Sequence, residues 1–167
     1  MPPIPLLTKL QLLEGNATAL DVGTKDGKIA QQLAQLGFRV DAIDVESLTE
    51  EIHGINFEQV SLETFLEKNT KRYDIVIARH VLPFTSDPLT LITKLNTISN
   101  IFVFTCFGPT DDWKDEDHII TLTKDELYDL FAPNTIKHYS ETFEETKTYK
   151  GDSKFWHYHT FVTDNRA

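Results

Sequence analysis

A chain of 167 residues, 40% hydrophobic and 11% aromatic, carries enough apolar material for one packed domain (1–167), which excludes global disorder and leaves no room for two domains of ordinary size. A net charge of −10 with no clustered Lys or Arg argues against nucleic acid or an anionic membrane as partner, and an acidic surface favours solubility and cationic ligands. The one cysteine, Cys106, can make no internal disulfide and reads as a core thiol, which fits a reducing cytoplasm. The first residues lack the basic-then-apolar pattern of a signal peptide, and no apolar run reaches membrane-spanning length.

The segments then alternate. Residues 5–14 read as a leading helix and Thr18–Val22 as a short buried strand. Apolar positions at Ile29, Ala30, Leu33, Ala34 and Leu36 give helical spacing over 28–36, and Gly37 stops it. Arg39–Asp44 is a second strand. Ser47 and Glu50 make a capping-box pattern for a short helix over 47–53. A third strand over 55–60 and a helix over 62–68 follow, then a strongly apolar fourth strand over 73–78. Asp87 and Pro88 start a helix reaching 98, and a fifth strand covers 101–107. Thr123 caps a helix over 124–131. Two long strand-like runs, 135–149 and 155–163, flank a polar turn and read as an antiparallel hairpin. The expected architecture is α/β: a Rossmann-like, doubly wound, mostly parallel seven-stranded sheet with a C-terminal antiparallel hairpin. Ligands of such sheets sit beyond the carboxyl ends of the strands, at the switch point.

The loop after the first strand reads Asp21-Val22-Gly23-Thr24-Lys25-Asp26-Gly27 and opens a helix. Gly23 permits dihedrals closed to other residues and the approach of a ligand, and Gly27 permits close packing. Free N–H groups at the helix start attract an anion. Asp21 at the strand tip suits an ammonium group, and Asp44, ending the second strand, suits ribose hydroxyls. A dinucleotide pyrophosphate needs G-x-G-x-x-G. From Gly23 the equivalent positions are Gly23, Lys25 and Lys28, which disfavours a dinucleotide oxidoreductase.

Residues 17–46, the segment Tyr73-Asp74-Ile75-Val76-Ile77-Ala78-Arg79-His80 and the final hairpin resemble class I S-adenosylmethionine-dependent methyltransferases. Size and the Trp156-His157 pair are most similar to the small tellurite-resistance and thiopurine-type enzymes. The resemblance implies S-adenosylmethionine as cofactor and methyl transfer to an acceptor. Asp21 and Gly23 would hold the methionine part, with Thr24 and Gly27 in the same loop. Asp44 would hold the ribose, Val45 and Leu62 would flank the adenine, and Arg79 would sit by the sulfonium. Lys25 stands where the family has its middle glycine, and Ser61 where many members have an adenine-binding Asp. The base-methylating Asn/Asp-Pro-Pro-aromatic motif is missing after the fourth strand, and so is the cysteine that carbon methylation of cytosine needs there. A small molecule is therefore the expected acceptor. Lys25 and Ser61 motivate an alternative, a catalytically degenerate domain that binds a partner protein. The oligomeric state is not legible.

His80, just past the fourth strand, is the candidate base, or else a hydrogen-bonded residue at a strand end. Phe84 stands either in an apolar wall or in a turn. The long loop 108–122 reads as a lid with Trp113 over a cationic or aromatic substrate, or as a solvated acidic loop. In the last strand His157 and His159 share one face, with Trp156 and Tyr158 on the other. His157 is a candidate substrate contact. No Cys or acid near these histidines in sequence completes a metal site, so no metal is expected.

Overall fold

The computed structural model describes residues 16–166; the helix expected over 5–14 lies outside them. Seven strands form one sheet in the order β3-β2-β1-β4-β5-β7-β6. β1 (Thr18–Val22), β2 (Arg39–Asp44), β3 (Ile55–Gln59), β4 (Tyr73–Ala78) and β5 (Ser99–Phe107) are mutually parallel. β7 (Ser153–Asp164) runs antiparallel to β5, and β6 (Ile136–Lys147) antiparallel to β7 on the outer edge. The order reverses between β1 and β4, so a crevice opens there at the strand ends.

Both faces of the sheet are covered. α1 (Lys28–Gln35) places Ala30 and Leu33 against Val40, Ile75, Ile77 and Val103. On the other face α3 (Pro88–Thr97) packs Leu91, Ile92 and Leu95 onto Val76, Phe102 and Phe104. Leu62 of α2 (Leu62–Lys68) and Leu127 of α4 (Lys124–Tyr128) extend that layer. Phe104 of β5 and Phe161 of β7 stack with centroids 5.3 Å apart, which joins the hairpin to the parallel half.

Side-chain caps start three helices, those at Asp87 and Thr123 as expected. Asp87 accepts the Thr90 N–H ahead of Pro88, and Ser61 accepts the Thr64 N–H. Thr123 and Glu126 form a reciprocal capping box.

The helix expected over 47–53 is absent: the chain there bends and turns. Leu48 and Ile52 are its only large apolar side chains, and both are drawn onto Gly27. So short a segment cannot offset helix nucleation. The last helix ends at Tyr128 rather than 131, and the hairpin strands begin and end within one or two residues of expectation. The far half of β6 carries exposed Glu141, Glu144 and Glu145, charges that oppose pairing of a free sheet edge.

Candidate functional site

The loop after β1 is held by its own backbone. The N–H groups of Gly23 and Thr24 both donate to the Ile43 carbonyl of β2, at 2.9 and 3.1 Å. Lys25 adopts φ +51, and its N–H donates to Asp44 Oδ2 at 2.8 Å. The Glu46 N–H donates to the other oxygen of Asp44 at 3.0 Å. Asp44 thus ties the first loop to the second, and each oxygen keeps a lone pair for a hydroxyl.

Gly23, at φ +71, lines both cavities described below with its backbone, and no side chain fits there. A Cβ there would stand 2.8 Å from Val81 Cβ. Gly27, at φ +75, lies beneath Ile52 and has the close-packing role expected of it; it lines neither cavity described below.

Asp21 is 2% exposed and accepts a 2.7 Å bond from the Thr24 hydroxyl. Burial, opposed by that bond and reinforced by Asp44 and Asp26, pushes its carboxyl up to about 7. The helix start meets this carboxylate, and the Lys28 N–H is taken by Asp26 Oδ1, so the α1 N-terminus is less open than the sequence implied.

Two cavities open at the strand ends. One, of about 400 Å³, is lined by Val22, Asp44, Val45, Glu46, Val60 and Leu62. The other, of about 330 Å³, is lined by Asp21, Thr24, Phe84, Phe107, Trp113 and Trp156. They share Gly23, Lys25, Arg79, His80, Phe84 and Tyr149. Each has the size of a small-ligand site. Ser61 lines neither: its hydroxyl accepts the Thr64 N–H at 3.2 Å as the α2 cap and donates to Thr64 Oγ1 at 3.0 Å, which removes it from the adenine position.

His80 also adopts a left-handed backbone, φ +54. Its N–H donates to Thr105 Oγ1 at 2.7 Å, and the same hydroxyl lies 3.1 Å from its ring Nδ1. Among the described residues Nδ1 is the acceptor within reach of that hydroxyl's hydrogen, an arrangement that favours the ring proton on Nε2. Burial, with the cations Arg79, Lys154 and Lys25 nearby, pushes this histidine down to about 3. The ring lies against Phe107 (5.7 Å between centroids), Trp156 (5.6 Å) and the edge of Tyr158 (5.0 Å). These features make it a neutral hydrogen-bond donor, where the sequence suggested a base.

Phe84 belongs to a wall, 5.8 Å from Phe107 and 6.1 Å from Trp113. Trp113 closes that wall 5.6 Å from Trp156. The loop over 108–122 is pinned as a cover: Ile120 N–H donates to the Pro83 carbonyl and Leu122 N–H to that of Phe107.

His157 faces away from this cavity, a correction to its expected substrate contact. It packs over Gly108 and stacks on Phe143 at 4.3 Å. Glu141 of β6 does join His157 and His159 across the hairpin, an acid that sequence spacing could not reveal. The Thr110 N–H, however, points at His157 Nδ1 (3.0 Å), so Nε2 carries the proton and donates to Glu141 at 2.7 Å. His159 Nε2 meets the Leu122 carbonyl, and its Nδ1 the Tyr139 hydroxyl. Every ring nitrogen of the pair has a partner within the protein, which leaves His157 no lone pair toward a metal.

Sequence reasoning missed three contributors. Tyr149, at the hairpin tip, lines both cavities. Phe107 ends β5 inside the wall. Lys154, placed in the polar turn by sequence, is a buried strand residue, its Nζ 2.6 Å from Asp111 Oδ1. Period-two counting back from Trp156 would have put Lys154 on the aromatic face.

The fold and crevice define a class I methyltransferase architecture. The family model described as a methyltransferase domain matches residues 4–144, and the chain belongs to that family. It is an S-adenosylmethionine-dependent methyltransferase domain. No protein of curated function matches the chain in sequence. Among solved structures, TehB from Haemophilus influenzae superposes with a TM-score of 0.73 at 15% identity, covering 97% of this chain, which spans 62% of the TehB chain. A putative methyltransferase from Bacillus halodurans C-125 gives 0.71 at 13% identity, covering 98% and 99% of the two chains. A Burkholderia thailandensis 1,6-didemethyltoxoflavin-N1-methyltransferase, with its substrate and S-adenosylhomocysteine bound, gives 0.62 at 16% identity, covering 98% and 77%. Among the described residues, no helix is long and apolar enough to cross a membrane.

Proposed function

We propose that the chain transfers a methyl group from S-adenosylmethionine to a small molecule held in the ring-walled cavity. The observation that carries this reading is the pair of joined cavities. The one at Asp44 and Val45 suits a nucleoside, and the one at Phe84, Phe107, Trp113 and Trp156 is sized for a small ligand beside it. The Burkholderia structure has both 1,6-didemethyltoxoflavin and S-adenosylhomocysteine bound, which supports a two-ligand reading here.

S-adenosylmethionine supplies a methyl group already activated on a sulfonium. The chain's own task is then position and exclusion of water. Asp44 would accept from the ribose hydroxyls, and Val45 and Leu62 would border the adenine. Asp21 would receive the ammonium group, which would favour its ionised form despite burial. Arg79 would hold the carboxylate. His80, neutral and donating from Nε2, sits where both cavities meet.

Calorimetric titration with S-adenosylmethionine, with NAD as control, tests this directly. Micromolar binding of the first alone is expected. Asp44→Ala should weaken it by about 1.5–3 kcal/mol, the worth of a charge-assisted hydrogen bond, with an unchanged circular dichroism spectrum. Failure of the wild type to bind would leave the protein-interaction reading, in which Lys25 in the glycine loop marks a lost donor site.

A further inference from the structure

Resting on that reading of the two cavities, we propose that the acceptor is a planar aromatic oxyanion, a phenolate or aromatic carboxylate. It would lie against the Phe84–Phe107–Trp113–Trp156 wall with its charge toward Lys25 and Arg79.

The aromatic wall alone would suit a cation. Ring faces carry negative potential, and clustered tryptophans form cages for ammonium groups. This cage is already filled. Lys154 Nζ lies 3.5 Å from the Trp156 centroid, 4.4 Å from Trp113 and 4.7 Å from Phe107. Asp111 holds it from behind, and its side chain is 1% exposed. A second cation entering the cavity would meet rings already polarised by the resident ammonium group behind them. The rings remain free to stack on a flat ligand from the cavity side.

The mobile charge of the cavity has the opposite bias. Lys25 and Arg79 line both cavities, and among the described residues no carboxylate stands within salt-bridge distance of either. The other cation on the lining, Lys28, is paired with Asp26. The methyl donor brings one carboxylate, so one of the two unpaired cations is left for the acceptor. In a chain of net charge −10, the carboxylates of this lining are taken, Asp26 by Lys28 and Asp21 by the donor's ammonium group, so Lys25 and Arg79 give the compartment a local positive bias.

His80 completes the argument. Its Nδ1 is held by Thr105, so it offers the cavity an N–H and no base. An acceptor needing deprotonation would find no histidine base there, whereas an ionised oxygen finds a donor. In the transfer, that oxygen's lone pair forms the new O–C bond as the S–C bond breaks. The bonding pair goes to sulfur, the sulfonium becomes a thioether, the acceptor's negative charge is neutralised, and no proton moves.

The chain's only two tryptophans, Trp113 and Trp156, are both in the wall, so intrinsic fluorescence reports occupancy. The experiment titrates the protein, with and without saturating S-adenosylhomocysteine, with three matched probes: 4-hydroxybenzoate, benzyltrimethylammonium and cyclohexanecarboxylate. The aromatic anion should quench and bind at least roughly tenfold tighter than either of the others, the scale of one cation–π or ion-pair contact. A double variant, Lys154→Met with Asp111→Asn, empties the cage without leaving a buried charge, and should shift the preference toward the quaternary ammonium. Equal or tighter binding of the cation by the wild type overturns the proposal. So does silence to all three probes in a protein that binds S-adenosylhomocysteine. Failure to bind S-adenosylhomocysteine would instead strike the donor reading, while the probe order in its absence still decides the charge preference.

Discussion

The two halves of the crevice, proposed for donor and acceptor, are built differently. The donor half comes from short contiguous stretches, 21–27 and 44–46, and its geometry is fixed by backbone bonds: Gly23 and Thr24 to Ile43, Lys25 and Glu46 to Asp44. The acceptor half is assembled from side chains on the turn after β4, on strand, loop and hairpin, and its geometry is fixed by ring packing and one buried ion pair. A backbone-built site tolerates changes of side chain but not of dihedral. A side-chain-built site has the reverse sensitivity, so acceptor specificity can change while the donor site stays intact.

Two substitutions should break that comparison most strongly, one in each half. Lys154→Met leaves Asp111 buried without its cation, although Asp111 also accepts the His157 and Trp113 N–H groups. Loss of about 3–5 kcal/mol is expected from stranding one member of a buried pair, read as a drop in urea midpoint, with much of it restored by Asp111→Asn. Gly23→Val forces a β-branched residue to φ +71 and its Cβ against Val81. A cost of about 1–3 kcal/mol and loss of donor binding are expected, read by thermal melting and calorimetry. Gly23→Val binding donor at wild-type affinity would remove the loop from the site.

Asp21 sharpens the comparison through pH. Its folded pKa, about 7, lies above the ordinary value of 3.8, so the free protein binds an extra proton between those limits. Its contribution to stability is therefore fully present below pH 3.8 and is lost as pH rises through 7. Donor binding runs the other way: the ammonium group needs the carboxylate, so affinity should fall as pH drops below 7, with proton uptake by the free protein. Calorimetry in buffers of different ionisation enthalpy should show about one proton released on binding at pH 6 and almost none at pH 8. Asp21→Asn should be more stable than wild type at pH 8 and bind donor weakly. A flat pH profile would mean that the ammonium lies elsewhere.

The same division explains what was legible in the sequence. Short apolar runs alternating with helical spacing marked the five parallel strands, and Asp87 and Thr123 announced their helices, because these are local properties. The donor residues Asp21 and Asp44 followed from their places at strand ends. The capping pattern at Ser47 misled because Leu48 and Ile52 found Gly27 more profitable to cover than a helix face of their own. Ser61 misled because one hydroxyl was assigned to adenine when its helix already used it. Lys154 reaches Phe107, and Tyr149 shares a cavity with Phe107, only through the antiparallel return of β7 beside β5, a pairing no local pattern encodes.

Lys25 is where the two halves meet, and its replacement has the smallest expected effect. The residue holds φ +51, which costs a side-chain-bearing residue about 1–2 kcal/mol that glycine does not incur. Glycine in turn loses more chain entropy on folding, about 0.5–1 kcal/mol. The two nearly offset, so Lys25→Gly should leave stability within about 1 kcal/mol of wild type. The backbone bond from residue 25 to Asp44 survives the change, so donor affinity should hold within a few-fold. What disappears is one of the two unpaired cations and its approach to the Tyr149 ring, 5.6 Å away. Aromatic anions should then bind several-fold more weakly while S-adenosylhomocysteine binds as before. If both ligands weaken together, Lys25 serves the donor's carboxylate, and Arg79 is the cation that faces the acceptor.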